Sequence, residues 1–146
     1  MNAEDEKKIS DPRTQEAIDK YKSFLEFKTG RKVEIIPNVE FADSDYLVYY
    51  DGKLSHYLEV KCRRNNFNSF PDTLLPLRKH STAEHYLNAT GVKTYFLAYF
   101  GDDILSILDL TKEPDKIGEQ VARKDRSNDR DIYAFYDITR FTIIEL

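Results

Sequence analysis

The stretch from 45 to 62, reading DYLVYYDGKLSHYLEVKC, constrains this chain most: two alternating runs rich in aromatic and β-branched residues flank Asp51-Gly52. That pattern is a β-hairpin signal with the turn at the Asp-Gly pair. A three-residue loop, 51–53, pairs Tyr50 with Leu54, Val48 with His56, Tyr46 with Leu58 and Asp45 with Glu59. One face then collects Tyr46, Val48, Tyr50, Leu54, His56, Leu58 and Val60. The other collects Asp45, Leu47, Tyr49, Ser55, Tyr57, Glu59 and Lys61. A two-residue turn would carry Asp45 to the face away from Glu59, because a slip of one residue flips every side chain. Turn length, or a bulge, therefore decides whether the two acids meet.

Around the hairpin the chain reads as a mixed α/β (α+β) layer fold. Asp11-Pro12 opens a helix and Thr29-Gly30 closes it, with proline at a first helical position and glycine in a left-handed cap. At 100° per residue Ala17, Ile18, Tyr21, Phe24, Leu25 and Phe27 form its apolar stripe, Glu16 lies at the stripe's edge and Glu26 on the polar side. Val33 to Ile36 predict a short strand ended by Pro37. The stretch 65–72 reads as a loop, Pro76 to Thr90 as a second helix stopped by Gly91, and 92–100 and 104–110 as strands. Segment 112–131 is polar, with a helical turn expected near 116–122, and 132–138 and 141–144 are expected as edge strands. The order is α-β-β-β-α-β-β, a mixed sheet flanked by helices, with a core over about 12–110 and variable strands over 111–146.

At 146 residues this is expected to be one domain, 1–146, with 40% hydrophobic residues to build a core. A single cysteine, Cys62, excludes an internal disulfide and a Cys-rich zinc site. The longest apolar run, 95–100, is far short of a membrane span, and the charged start is unlike a signal peptide. A cytoplasmic chain without membrane partners is the expectation. The net charge of −4 argues against a nucleic-acid partner only when averaged. Residues 1–60 hold nine basic and thirteen acidic side chains, 61–93 six and two, and 94–146 seven and eleven. The middle is locally basic, which suits a local phosphate site more than broad DNA coating; tight binding would need a metal or a second subunit, as in a homodimer.

Asp45, Glu59 and Lys61 can share one sheet face. Two close carboxylates form a hard oxygen site of the kind Mg²⁺ or Mn²⁺ takes, and the Val60 carbonyl can complete it. Such an ion activates water and polarises a phosphodiester, while Lys61 orients the water or offsets transition-state charge. An acid, any residue and a lysine recur at 5, 6, 26, 51 and 59. Only the copy at 59 lies in an alternating strand with an acid fourteen residues upstream. Asp43 has the same strand parity as Asp45; Asp45 is favoured because the apolar strand begins immediately after it.

These residues resemble the PD-(D/E)XK nuclease superfamily, and the stretch 77–100 is similar to small phage-type members. The likeness covers about 12–110, in element order and in Asp45 with Glu59-Val60-Lys61; Ser44 stands where the family's named proline would be. It implies a restriction-endonuclease-like core and a magnesium-dependent DNA endonuclease, with Mn²⁺ as a substitute. Asp45, Glu59 and Lys61 would be catalytic, Glu16 would join Asp45, Glu59 and Val60 around the metal, and Arg63 with Lys79 would hold phosphate. The rival readings are a noncatalytic nucleic-acid-binding module and a DNA-mimic accessory protein on the same fold.

Other polar residues read as structural. His56 falls on the apolar hairpin face as a core histidine, and Cys62 acts there as a small hydrophobe. His80 and His85, five apart on a helix, fall on different faces, so no His-based zinc site is expected. Tyr49 and Tyr57 are candidates for stacking a base, and Phe67 and Phe70 for contacting substrate or folding back.

Overall fold

The computed structural model describes residues 12–39, 45–121 and 130–145. Helix α1 (Pro12–Thr29) leads to β1 (Val33–Pro37), β2 (Tyr46–Tyr50), β3 (Lys53–Cys62) and β4 (Asp72–Pro76). Helix α2 (Leu77–Thr90), β5 (Lys93–Tyr99), β6 (Leu105–Asp109), β7 (Lys116–Val121), β8 (Arg130–Asp137), a 3₁₀ turn (Ile138–Arg140) and β9 (Thr142–Ile143) follow. Gly30 and Gly91, at φ 66° and 77°, end the two helices in the left-handed conformation expected of them. No helix among the described residues is long and apolar enough to cross a membrane.

Six strands form the main sheet in the order β1-β2-β3-β5-β6-β9. Only β3 and β5 run parallel, as the α2 crossover between them requires. Helix α1 covers one face, packing Ala17, Ile18, Tyr21 and Leu25 against Val48, Leu58, Val60, Leu97 and Tyr99. On the other face, Ala83 of α2, Leu75 of β4, and Ala134 and Tyr136 of β8 meet Phe96, Ala98 and Leu108. Phe27, expected in the stripe of α1, is 92% exposed.

The structure adds a second sheet, β4-β8-β7. Residues 72–76, expected to end a loop and open a helix, form β4, and the helical turn expected near 116–122 is strand β7. Leu74 pairs with Phe135 and Ile117 with Ala134, so β8 organises both neighbours. The expected edge strand at 132–138 is thus the centre of its own sheet, and of the two expected C-terminal edge strands β9 alone joins the main sheet, at the edge opposite β1.

The hairpin reaches the expected face by a different route. Tyr50 pairs with Lys53, not Leu54, across a two-residue Asp51-Gly52 turn with φ 51° and 80°. Both residues lie at positive φ, as a type I′ turn demands. Tyr49 then pairs with Leu54, Val48 with His56, and the ladder shifts between Val48 and Tyr49. Ser55 is the extra residue of a β-bulge, and it restores the parity that the shorter turn would have reversed.

Buried His56 lies between the Tyr21 hydroxyl, 2.9 Å from Nε2, and the Ser55 hydroxyl, 2.9 Å from Nδ1. Burial lowers its pKa from 6.5 to about 4. The folded state resists a proton that the unfolded chain accepts below pH 6.5, so the stability is complete above that pH and drains away towards pH 4. A loss of up to about 3 kcal/mol is expected over this window. Denaturant titrations at pH 7, 5.5 and 4 on wild type and His56→Gln check it, and the variant should show the shallower pH slope.

Candidate metal and phosphate site

Alternation along β3 sends Leu58, Val60 and Cys62 towards α1 and Glu59 and Lys61 towards α2. Asp45 stands just before β2, and its Oδ2 accepts the Val60 backbone N–H at 3.1 Å. This bond fixes the carboxylate beside the β3 backbone at the residue between Glu59 and Lys61. The two acids therefore come together, and Asp43 lies outside the described residues.

Glu59 is 1% exposed. Its Oε1 meets Lys79 Nζ of α2 at 2.8 Å, and Oε2 has no hydrogen-bond donor among the described residues. A buried carboxylate oxygen without a donor is costly unless a cation or a proton answers it. Burial, followed by the negative charge of Asp45, raises the Glu59 pKa from 4.5 to about 7; Lys79 and Lys61 pull the other way. Two acids whose charges act on each other, one of them with an unsatisfied buried oxygen, suit a hard divalent cation bound through carboxylates. Half-buried Lys61 follows on the same face, opposite Ala98 of β5.

Three other expected site residues are placed differently. Glu16 is on the α1 side of the sheet, where the Tyr99 hydroxyl donates to its Oε1 at 2.7 Å and Arg13 and Lys20 approach at 3.7 Å. The structure does not bring it to Asp45 and Glu59. Arg63 turns inward: Nη2 donates to the Leu74 carbonyl at 2.6 Å, and its buried Nε has no acceptor among the described residues. Burial lowers its pKa. In this arrangement Arg63 anchors β4 to the end of β3, with its Nη2 turned to the backbone of β4. Lys79 faces Glu59, a pairing that the sequence alone did not reveal, because nothing in the helix pattern of 77–90 specifies which strand residue lies beneath it.

The neighbouring backbone is tightly built. Gly101 N donates to the Asn65 carbonyl at 2.8 Å, and a Cβ at 101 would run into the Arg64 carbonyl oxygen. Glycine is required there by close backbone approach. Phe67 packs edge-on to Phe100, whereas Phe70 is exposed. Tyr57 stacks on Tyr86 of α2 with centroids 4.4 Å apart, so one face of its ring is already covered. A groove of about 700 Å³, lined by Arg78, Ser81, Thr82, His85, Tyr86 and Ile132 among others, runs along α2 but does not include the paired acids.

In sequence, residues 9–143 match the family model described as phage putative PDDEXK endonuclease. No curated protein matches significantly. Among solved structures, a Holliday junction resolvase, Hjc of Archaeoglobus fulgidus, is similar at 9% identity with a TM-score of 0.39, over 83% of this chain and 95% of that one.

Proposed function

Because the chain belongs to the phage PD-(D/E)XK endonuclease family, we propose that it is a metal-dependent DNA endonuclease whose centre is Asp45, Glu59, Val60 and Lys61. The observation that carries this reading is the convergence of Asp45 on the Val60 N–H beside a buried, half-satisfied Glu59. A noncatalytic binding module has no need to bury an acid whose pKa is forced upward, and perturbed acids of this kind cluster at working sites.

Asp45, Glu59 and the Val60 carbonyl would hold Mg²⁺, with Mn²⁺ able to replace it. The bound ion would supply a water of lowered pKa and withdraw charge from the scissile phosphate. Lys61, next along the strand face, places its ammonium where it donates to oxygens that gain negative charge as water adds to phosphorus. Hydrolysis forms one P–O bond from water and breaks one to the departing sugar oxygen, which leaves with a proton. Lys79 opposes the upward shift of the Glu59 pKa and so favours the charged form that a metal needs, a role separate from phosphate contact.

The decisive assay offers linear, nicked, single-stranded and four-way DNA with Mg²⁺ or Mn²⁺, with and without EDTA. Cleavage abolished by EDTA supports the reading; binding without cleavage of any substrate favours the noncatalytic module. Lys61→Ala should lower kcat by about 10²–10⁴ with circular dichroism and melting unchanged, the size of effect expected of a group acting on the reacting atoms. An unaltered kcat would remove Lys61 from the centre.

A further inference from the structure

A second polar cluster lies at the next residue of α2, on a different side of the helix. His80 is 3% exposed, and its Nδ1 is 3.0 Å from the Leu110 carbonyl oxygen. A carbonyl only accepts, so Nδ1 carries the hydrogen and the lone pair of a neutral ring sits on Nε2. That nitrogen points at Glu84 Oε1, 3.0 Å away, and Glu113 Oε2, 3.9 Å away. No hydrogen-bond partner satisfies it among the described residues. An acceptor nitrogen aimed at two acceptor oxygens is repulsive unless a metal ion stands between them or a second proton turns the nitrogen into a donor.

Each of the three residues offers a ligand atom within 4.8 Å of the others. The buried Tyr136 hydroxyl, also without a partner among the described residues, feels the positive charge of Arg140 and, after it, the negative charges of Glu113, Glu84 and Asp115. Arg140, the nearby cation, donates instead to the Glu113 backbone carbonyl and to Asp115. A histidine whose far nitrogen donates to a backbone carbonyl is oriented as metal-binding histidines usually are. One imidazole with two carboxylates suits zinc better than magnesium, leaving a fourth position for water.

We propose that His80, Glu84 and Glu113 form a zinc-class site, separate from Asp45 and Glu59, that ties α2 to the segment after β6. The site would brace the helix carrying Lys79.

The test uses the full chain carrying Asp45→Asn and Glu59→Gln, so that the first pair of acids cannot account for binding. After EDTA treatment and dialysis, Zn²⁺ is titrated calorimetrically and Co²⁺ is followed by its visible absorption. One equivalent of Zn²⁺ and a tetrahedral Co²⁺ spectrum are expected. Adding Glu84→Gln and Glu113→Gln should weaken Zn²⁺ binding beyond the roughly 10–100-fold caused by losing an outer-shell partner. Those two side chains are 45% and 80% exposed, so metal-free melting should hardly change. No Zn²⁺ uptake, or uptake indifferent to both glutamines, overturns the site.

Discussion

Glu59→Gln is expected to abolish DNA cleavage and, in the same protein without metal, to raise stability at pH 8. The first effect follows from losing a charged metal ligand, and a fall of at least about 10²–10³ in kcat is the scale for removing one electrostatic contributor. The second follows from burial. Glu59 has its pKa raised from 4.5 to about 7, so the folded state favours the protonated acid more than the unfolded chain does. Its contribution is complete below pH 4.5 and is lost as pH rises through 7. Glutamine mimics the protonated side chain at every pH. The variant should therefore match wild type near pH 4 and exceed it by about 3 kcal/mol at pH 8. Urea unfolding at both pH values in EDTA, beside a cleavage assay, reads both effects. A glutamine variant that is inactive but no more stable at pH 8 would mean that the carboxylate is not held at a cost in the metal-free fold. Saturating Mg²⁺ should narrow the gap by stabilising wild type alone, since only the folded wild type offers the site.

How far such a centre can be read from sequence depends on which contacts are local. The alternation of Tyr46 and Val48 against His56, Leu58 and Val60 specified the buried hairpin face, and hence the meeting of Asp45 with Glu59. The turn itself is not legible in the sequence, because a two-residue turn with a bulge at Ser55 and a three-residue turn without one end in the same register beyond Val48. Hydrophobic burial selects the outcome and is indifferent to the route. Strand β4 is bounded by Pro71 and Pro76 and pairs with residues some sixty positions later; β7 carries Lys116, Gly118 and Glu119, and pairing with β8 makes it a strand. Neither has enough local pattern to announce itself. The same limit applies to side chains. The helical periodicity sets Glu16 beside the stripe of α1, but only the fold shows Tyr99 on that face to bind it. Arg63 follows the motif directly, yet the acceptor it turns to, the Leu74 carbonyl, belongs to a strand that the sequence hid. The family match over 9–143 extends through that second sheet.

Lys79→Met should separate the lysine's two conceivable duties. Its ammonium is 2.8 Å from Glu59 Oε1 with the pair almost wholly buried, 12% and 2% exposed. Removing the lysine leaves the carboxylate, the more deeply buried partner, without its compensating charge, at a cost of about 3–5 kcal/mol. That loss should appear at pH 8, where Glu59 would be ionised, and shrink towards pH 5, where the acid takes a proton and the charge disappears. Lys79 favours the charged form of Glu59, so its removal moves the carboxylate's titration upward. The pH at which Mg²⁺ binds and cleavage begins should then rise with it, and activity lost at pH 7 should return in part at pH 8.5. Phosphate contact alone predicts something else: a higher KM for DNA and a weaker salt dependence of binding, with the pH threshold unmoved. Combining Lys79→Met with Glu59→Gln completes the argument, because a neutral residue at 59 no longer needs the ammonium. The double variant should recover most of the stability that Lys79→Met loses at pH 8, a coupling that a purely substrate-facing lysine would not show.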